Sequence, residues 1–116
     1  MKFEGNHELP SLEFDEATGY MKISGYSVAM DDRDFWGPLT AKVEEYLEQP
    51  RDINLDIELE YFNTPSAKRL LHLLKIIDDK AKNAIVTWID DDDEDMREAG
   101  EDYASMINKN IKWKFK

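Results

Sequence analysis

The chain contains no cysteine, which excludes disulfides, thiol nucleophiles and cysteine-ligated metals and agrees with a reducing compartment. Histidine is scarce: His7 lies near the start and His72 inside a helical pattern, and neither falls on a metal-ligand or nucleophile spacing. The five glycines form no glycine-rich loop after a strand, so the usual phosphate cradle of nucleotide enzymes is missing. Apolar runs are only a few residues long, too short to span a bilayer, and the first eight residues lack the hydrophobic segment of a signal peptide. The expected location is therefore cytoplasmic. Positive charge is also in short supply, with 15 Lys and Arg against 26 Asp and Glu, a formal net charge of −11. That sign disfavours nucleic acid and anionic lipid as partners.

What is present describes a folded protein. The 116 residues are 41% hydrophobic and 35% charged, enough apolar material for one core, so a single domain over residues 1–116 is expected. Ile53-Asn54-Leu55-Asp56-Ile57-Glu58-Leu59-Glu60-Tyr61 alternates apolar and polar residues, the period of a half-buried strand. Directly after it, Ala67, Leu70, Leu71, Leu74 and Ile77 fall on the spacing of an amphipathic helix. The junction is Phe62-Asn63-Thr64-Pro65-Ser66. Thr64 reads as the helix N-cap, with Pro65 at the next position, where a missing amide is harmless. A phosphate on Thr64 would meet unpaired first-turn amides and the positive end of the helix dipole, with Lys68 one turn on.

The other elements are shorter. Leu12 to Asp15 and Tyr20 to Ser24 read as a hairpin turning through Glu16-Ala17-Thr18-Gly19. A loop over residues 25–32 leads to a helix with its main body at Pro38 to Glu48. Ala84 to Ile89 is a uniformly apolar strand. The acidic residues 90–95 then supply the first turn of a helix carrying Met96, Ala99, Tyr103, Met106 and Ile107 on one face. Ile111, Trp113 and Phe115 alternate with lysines in a last strand. The order predicts an α/β fold with a mixed sheet of about five strands, the later ones parallel, and the helices mainly on one face because Asn54, Asp56, Glu58 and Glu60 leave the other polar. Trp36, Trp88 and Trp113 have apolar neighbours and read as core.

Residues 90–95 offer the carboxylates for a hard cation, and a small metal-dependent hydrolase built on them is one reading. They lack the alternating ligands and bend glycine of a calcium loop, so a solvated helix start explains them better. No catalytic residue, cofactor, metal or small-molecule substrate is expected.

Several segments in order carry a resemblance: Leu12-Glu13-Phe14-Asp15, Gly25-x-Ser27, Phe35-Trp36-x-Pro38, Leu59-Glu60-Tyr61-Phe62-Asn63-Thr64-x-Ser66-x-Lys68, Trp88, Asp92-Asp93-Glu94-Asp95-Met96 and Glu98-Ala99-Gly100-Glu101-Asp102-Tyr103. The chain resembles the SiaC family of bacterial regulatory phosphoproteins. The resemblance implies a fold similar to the STAS domains of anti-sigma-factor antagonists and a non-enzymatic switch. It implies that Thr64 is phosphorylated by a Ser/Thr protein kinase and dephosphorylated by a PP2C-type phosphatase. The unmodified form would bind and activate a diguanylate cyclase, linking the switch to cyclic di-GMP and biofilm formation. Asn63, Thr64, Pro65, Ser66 and Lys68, with Gly25 and Ser27, form the expected partner-binding set. The chain departs from the family pattern at Tyr26, Ala29 and Met30, where Arg, Pro and Glu are frequent, and at Pro65, where Ser is usual. An anti-sigma-factor antagonist in a partner-switching pathway is the alternative of the same fold.

Overall fold

The computed structural model describes residues 1–31 and 33–116; Asp32, in the expected loop over residues 25–32, lies outside the described residues. Six strands form one sheet in the order of the sequence. They are β1 (Lys2–Phe3), β2 (Ser11–Asp15), β3 (Tyr20–Ser27), β4 (Asp52–Phe62), β5 (Asn83–Trp88) and β6 (Ile111–Phe115). The pairs β1–β2 and β2–β3 are antiparallel, and β3–β4, β4–β5 and β5–β6 are parallel. Three helices make the parallel crossovers: α1 (Trp36–Tyr46), α2 (Thr64–Lys80) and α3 (Glu94–Met106). Parallel crossovers are right-handed, so a strand order that never reverses keeps all three on one face.

The alternation in β4 works as read. Ile53, Leu55, Ile57 and Leu59 are buried, while Asn54 and Glu60 are exposed and Asp56 and Glu58 half-buried on the open face. Burying such side chains contributes about 1.5–3 kcal/mol each. Under the helices the core gathers Met21, Ile23, Leu39, Val43, Leu70, Leu74, Ile77, Val86 and Trp88, each fully covered. Trp36 and Trp88 are core residues, whereas Trp113 is half-buried on the edge strand.

Four expectations are corrected. The sheet has six strands, not about five, because the N-terminal residues add β1. Phe3 packs edge-on against Phe35 at 5.8 Å, and the Met1 ammonium donates to the Phe14 carbonyl at 2.8 Å. Two residues are too few to show a period. Second, β3 continues to Ser27, so residues 25–27 are strand and not loop. Third, α1 starts at Trp36, two residues ahead of Pro38, since proline in a first turn removes an amide with no intrahelical acceptor. Fourth, Tyr61 does not complete the buried face of β4. Gly25 pairs with Leu59 but Tyr26 pairs with Tyr61, so β4 carries one extra residue at Glu60. This bulge turns Tyr61 to the open face, where it is 54% exposed, and sends Phe62 inward to Trp88 and Tyr103. Gly25 takes φ of +95° there, a conformation glycine adopts without steric cost.

Candidate functional site

The β4–α2 junction is built by Asn63. Its carboxamide oxygen accepts from the Ser66 amide at 3.0 Å, and its backbone oxygen accepts from the Ala67 amide at 2.9 Å. Asn63, not Thr64, is therefore the N-cap. Thr64 is the first helical residue and Pro65 the second, still within the turn where proline is tolerated. The Asn63 amide nitrogen also donates to the Val28 carbonyl at 2.8 Å, so one side chain fastens α2 to the chain leaving β3.

Below the junction lies a buried hydroxyl pair. Ser66 Oγ donates to the Ser27 carbonyl at 2.9 Å. Its one proton is thereby used, so in the 2.6 Å contact between the two hydroxyls Ser27 is the donor. Ser27 Oγ in turn accepts from the Trp36 indole at 2.9 Å. The chain of bonds runs in one direction and joins α1, β3 and α2. Ser27 and Ser66 are buried; within the expected partner-binding set they hold the junction from beneath. Pro65 is half-buried, and Gly25 sits at the bulge.

Thr64 and Lys68 face solvent. They line one wall of a groove of about 320 Å³ between α2 and α3, with Ala67 and Leu71 beside them. Ala99, Asp102, Tyr103 and Met106 form the α3 wall, and Phe62 sits at the base. Spacings of three and four residues place each set on one helix face. The Tyr103 hydroxyl donates to the Ala67 carbonyl at 2.9 Å and pins the two walls together; burial pushes its pKa up to about 12. At Gly100 a β-carbon would lie 2.5 Å from the Trp88 ring, so glycine lets α3 approach β5 closely. Met106 was expected on the apolar face of α3. It is 61% exposed, because the helix ends there and Ile107 takes the buried place.

The sequence did not reveal this groove. Its α3 wall is brought to Thr64 only by packing. The signals that could have suggested it are the adjacent aromatics Tyr61 and Phe62, which cannot share one face of a regular strand, and a methionine at a helix end.

The start of α2 is electrostatically fuller than expected. Pro65 has no amide, and those of Ser66 and Ala67 are both taken by Asn63. Of the unpaired first turn that the sequence suggested, a phosphate on Thr64 would therefore find only the amide of Thr64 itself.

A second depression, of about 500 Å³, lies beside Ser24, Tyr26, Glu58, Glu60, Ile89 and the acidic run. The run itself is used structurally. Asp90 accepts from the Asp92 amide and from Arg97, and Asp93 caps α3 through the amides of Asp95 and Met96. Among the described residues no group of three or more His, Asp or Glu is placed to hold a metal ion. Nor is any helix among them long and apolar enough to cross a membrane.

A sequence comparison with curated proteins finds no match. Among solved structures, the chain is similar to one in the crystal structure of the diguanylate cyclase SiaD in complex with its activator SiaC from Pseudomonas aeruginosa. That similarity has a TM-score of 0.89 at 20% identity and covers 100% of this chain and 99% of the other. Apo-SiaC from the same organism gives 0.82 at 22% identity, covering 98% and 97%. At such identities the likeness establishes the fold. The model of the SiaC family regulatory phosphoproteins matches residues 3–115, nearly the full length and both walls of the groove, and the chain belongs to that family.

Proposed function

We propose that this protein is a non-enzymatic adaptor switched by phosphorylation of Thr64. A Ser/Thr protein kinase adds the phosphate, a PP2C-type phosphatase removes it, and the unmodified form binds and activates a diguanylate cyclase, so that the switch feeds into cyclic di-GMP and biofilm control. The observation that carries this reading is the position of Thr64. Its side chain is exposed at the mouth of an apolar groove while the neighbouring Asn63 does the capping. The hydroxyl is thus open to modification without loss of the helix start.

The α2–α3 groove is the proposed partner surface. A phosphate adds roughly two negative charges, and charge at an apolar interface opposes association through desolvation and repulsion. Taking a partner from almost fully bound to almost fully free requires about 5.5 kcal/mol of differential affinity. A group inside the contact can supply that; one at the rim cannot. Membership of a regulatory phosphoprotein family and a fold shared with a cyclase activator support the same reading.

The test is phosphosite mass spectrometry on protein purified from its own host, with and without phosphatase treatment, followed by binding of both forms to the host's diguanylate cyclase. Phosphate on Thr64 and cyclase binding by the unmodified form alone are expected. Thr64 unmodified under all growth conditions would overturn the switch, and recovery of an anti-sigma factor in place of a cyclase would redirect the output.

A further inference from the structure

Resting on the reading of Thr64 as the phosphate acceptor, we infer that the phosphate is held by Lys68, one turn along the same wall of the groove, and not by the α2 N-terminus. Three observations lead there. Most of the amides that would ordinarily receive an anion at a helix start are used or missing: Pro65 has none, and Ser66 and Ala67 both donate to Asn63, which leaves only the amide of Thr64 itself. Lys68 lies four residues on from Thr64 and lines the same groove. Its ammonium takes part in no ion pair among the described residues.

An anion four residues before a lysine is the favourable orientation for a helical ion pair. Lys68 is the one cation in the groove lining and Asp102 the one anion. Unmodified, these two charges sum to zero at the mouth. With a phosphate of about −2 the sum becomes about −2, even after Lys68 is engaged. Lys68 therefore fixes the phosphate over the groove and sets how much of its charge a docking segment meets. Modification withdraws the groove's cation and leaves both walls acidic, while the Asn63 cap stays in place. The switch then acts on docking and not on the helix.

The experiment uses full-length protein carrying phosphothreonine at position 64, installed by semisynthesis, and follows its ³¹P resonance against pH. The comparison is with Lys68→Met and with Lys75→Met, whose exposed lysine stands about 16 Å along the helix from Thr64. A cation beside the phosphate favours the dianion and depresses its second pKa, ordinarily near about 6. Lys68→Met is expected to raise that pKa by roughly 0.15–0.4, with Lys75→Met changing it by less than about 0.1. Equal effects of the two substitutions, or no effect of Lys68→Met, would overturn the assignment. Because the phosphate is installed chemically, this outcome is independent of whether the host kinase modifies Thr64, which the mass spectrometry decides separately.

Discussion

Asn63 and Thr64 are adjacent, both polar and both capable of capping a helix, yet the structure gives them opposite duties. Asn63 binds the Ser66 amide and the Val28 carbonyl; Thr64 faces the groove. Asn63→Ala is expected to lower stability by about 1–2 kcal/mol, the usual cost of losing a cap. Thr64→Ala should change it by less than about 0.5 kcal/mol while abolishing phosphorylation. Urea denaturation of the two variants checks the division, and a Thr64→Ala protein as weakened as Asn63→Ala would show that the hydroxyl is structural after all. The Ser27 hydroxyl carries a different burden, since it is the acceptor for the buried Trp36 indole. Ser27→Ala strands that N–H and should cost about 1–3 kcal/mol, with a shift in tryptophan fluorescence as the second readout.

At the scale of elements, the groove depends on how α3 is held against α2 and β5. Gly100 allows the approach; Gly100→Ala places a methyl 2.5 Å from the Trp88 ring. Overpacking of this kind outweighs the better helix propensity of alanine, which is worth about 1 kcal/mol, and a net loss of about 1–3 kcal/mol is expected. Thermal denaturation measures it. Tyr103 supplies the direct tie. Its folded pKa of about 12 exceeds the ordinary value of 10.0, so between these values the unfolded chain releases the phenolic proton and the folded one keeps it. Stability contributed by the neutral hydroxyl is thus complete below pH 10 and falls as pH rises toward 12. Tyr103→Phe should show a shallower alkaline decline in melting temperature than the parent, and an identical decline would place the titration elsewhere.

The same scale shows why some elements were legible and others not. β4 and α2 announce themselves because each has a long run with a single period, so burial alone specifies the face. β1 is two residues long and owes its existence to β2 and Phe35. The bulge at Glu60 is a property of the β3–β4 pair: the register can absorb an extra residue only where the partner strand has Gly25 to accommodate the twist. Met106 follows the helical stripe in sequence, but α3 ends there and Ile107, leaving the helix, takes the buried place.

For the whole molecule, the formal charge of −11 makes self-repulsion a general term that favours expansion and is screened by salt. Adding about 0.5 M NaCl should therefore raise the melting temperature, and a fall would mean that ion pairs such as Lys22–Glu58 and Lys42–Glu16 outweigh the repulsion. Phosphorylation at an exposed site adds to this excess only slightly, so the modified protein should remain folded.

The sequence by itself determined the number and order of the long elements, the parallel character of the later strands and the exposure of the β4 acidic face. These follow from periodicity and connection length, which are local. It also placed Thr64 at the start of α2, through the residues around it. Only the tertiary structure decided which neighbour caps the helix, which amides remained for a phosphate, and that Lys68 and Asp102 face each other across an apolar groove. Those outcomes depend on Val28, Ser27 and α3, which stand far from Thr64 along the chain and reach it only when the sheet brings the ends of β3, β4 and β5 together.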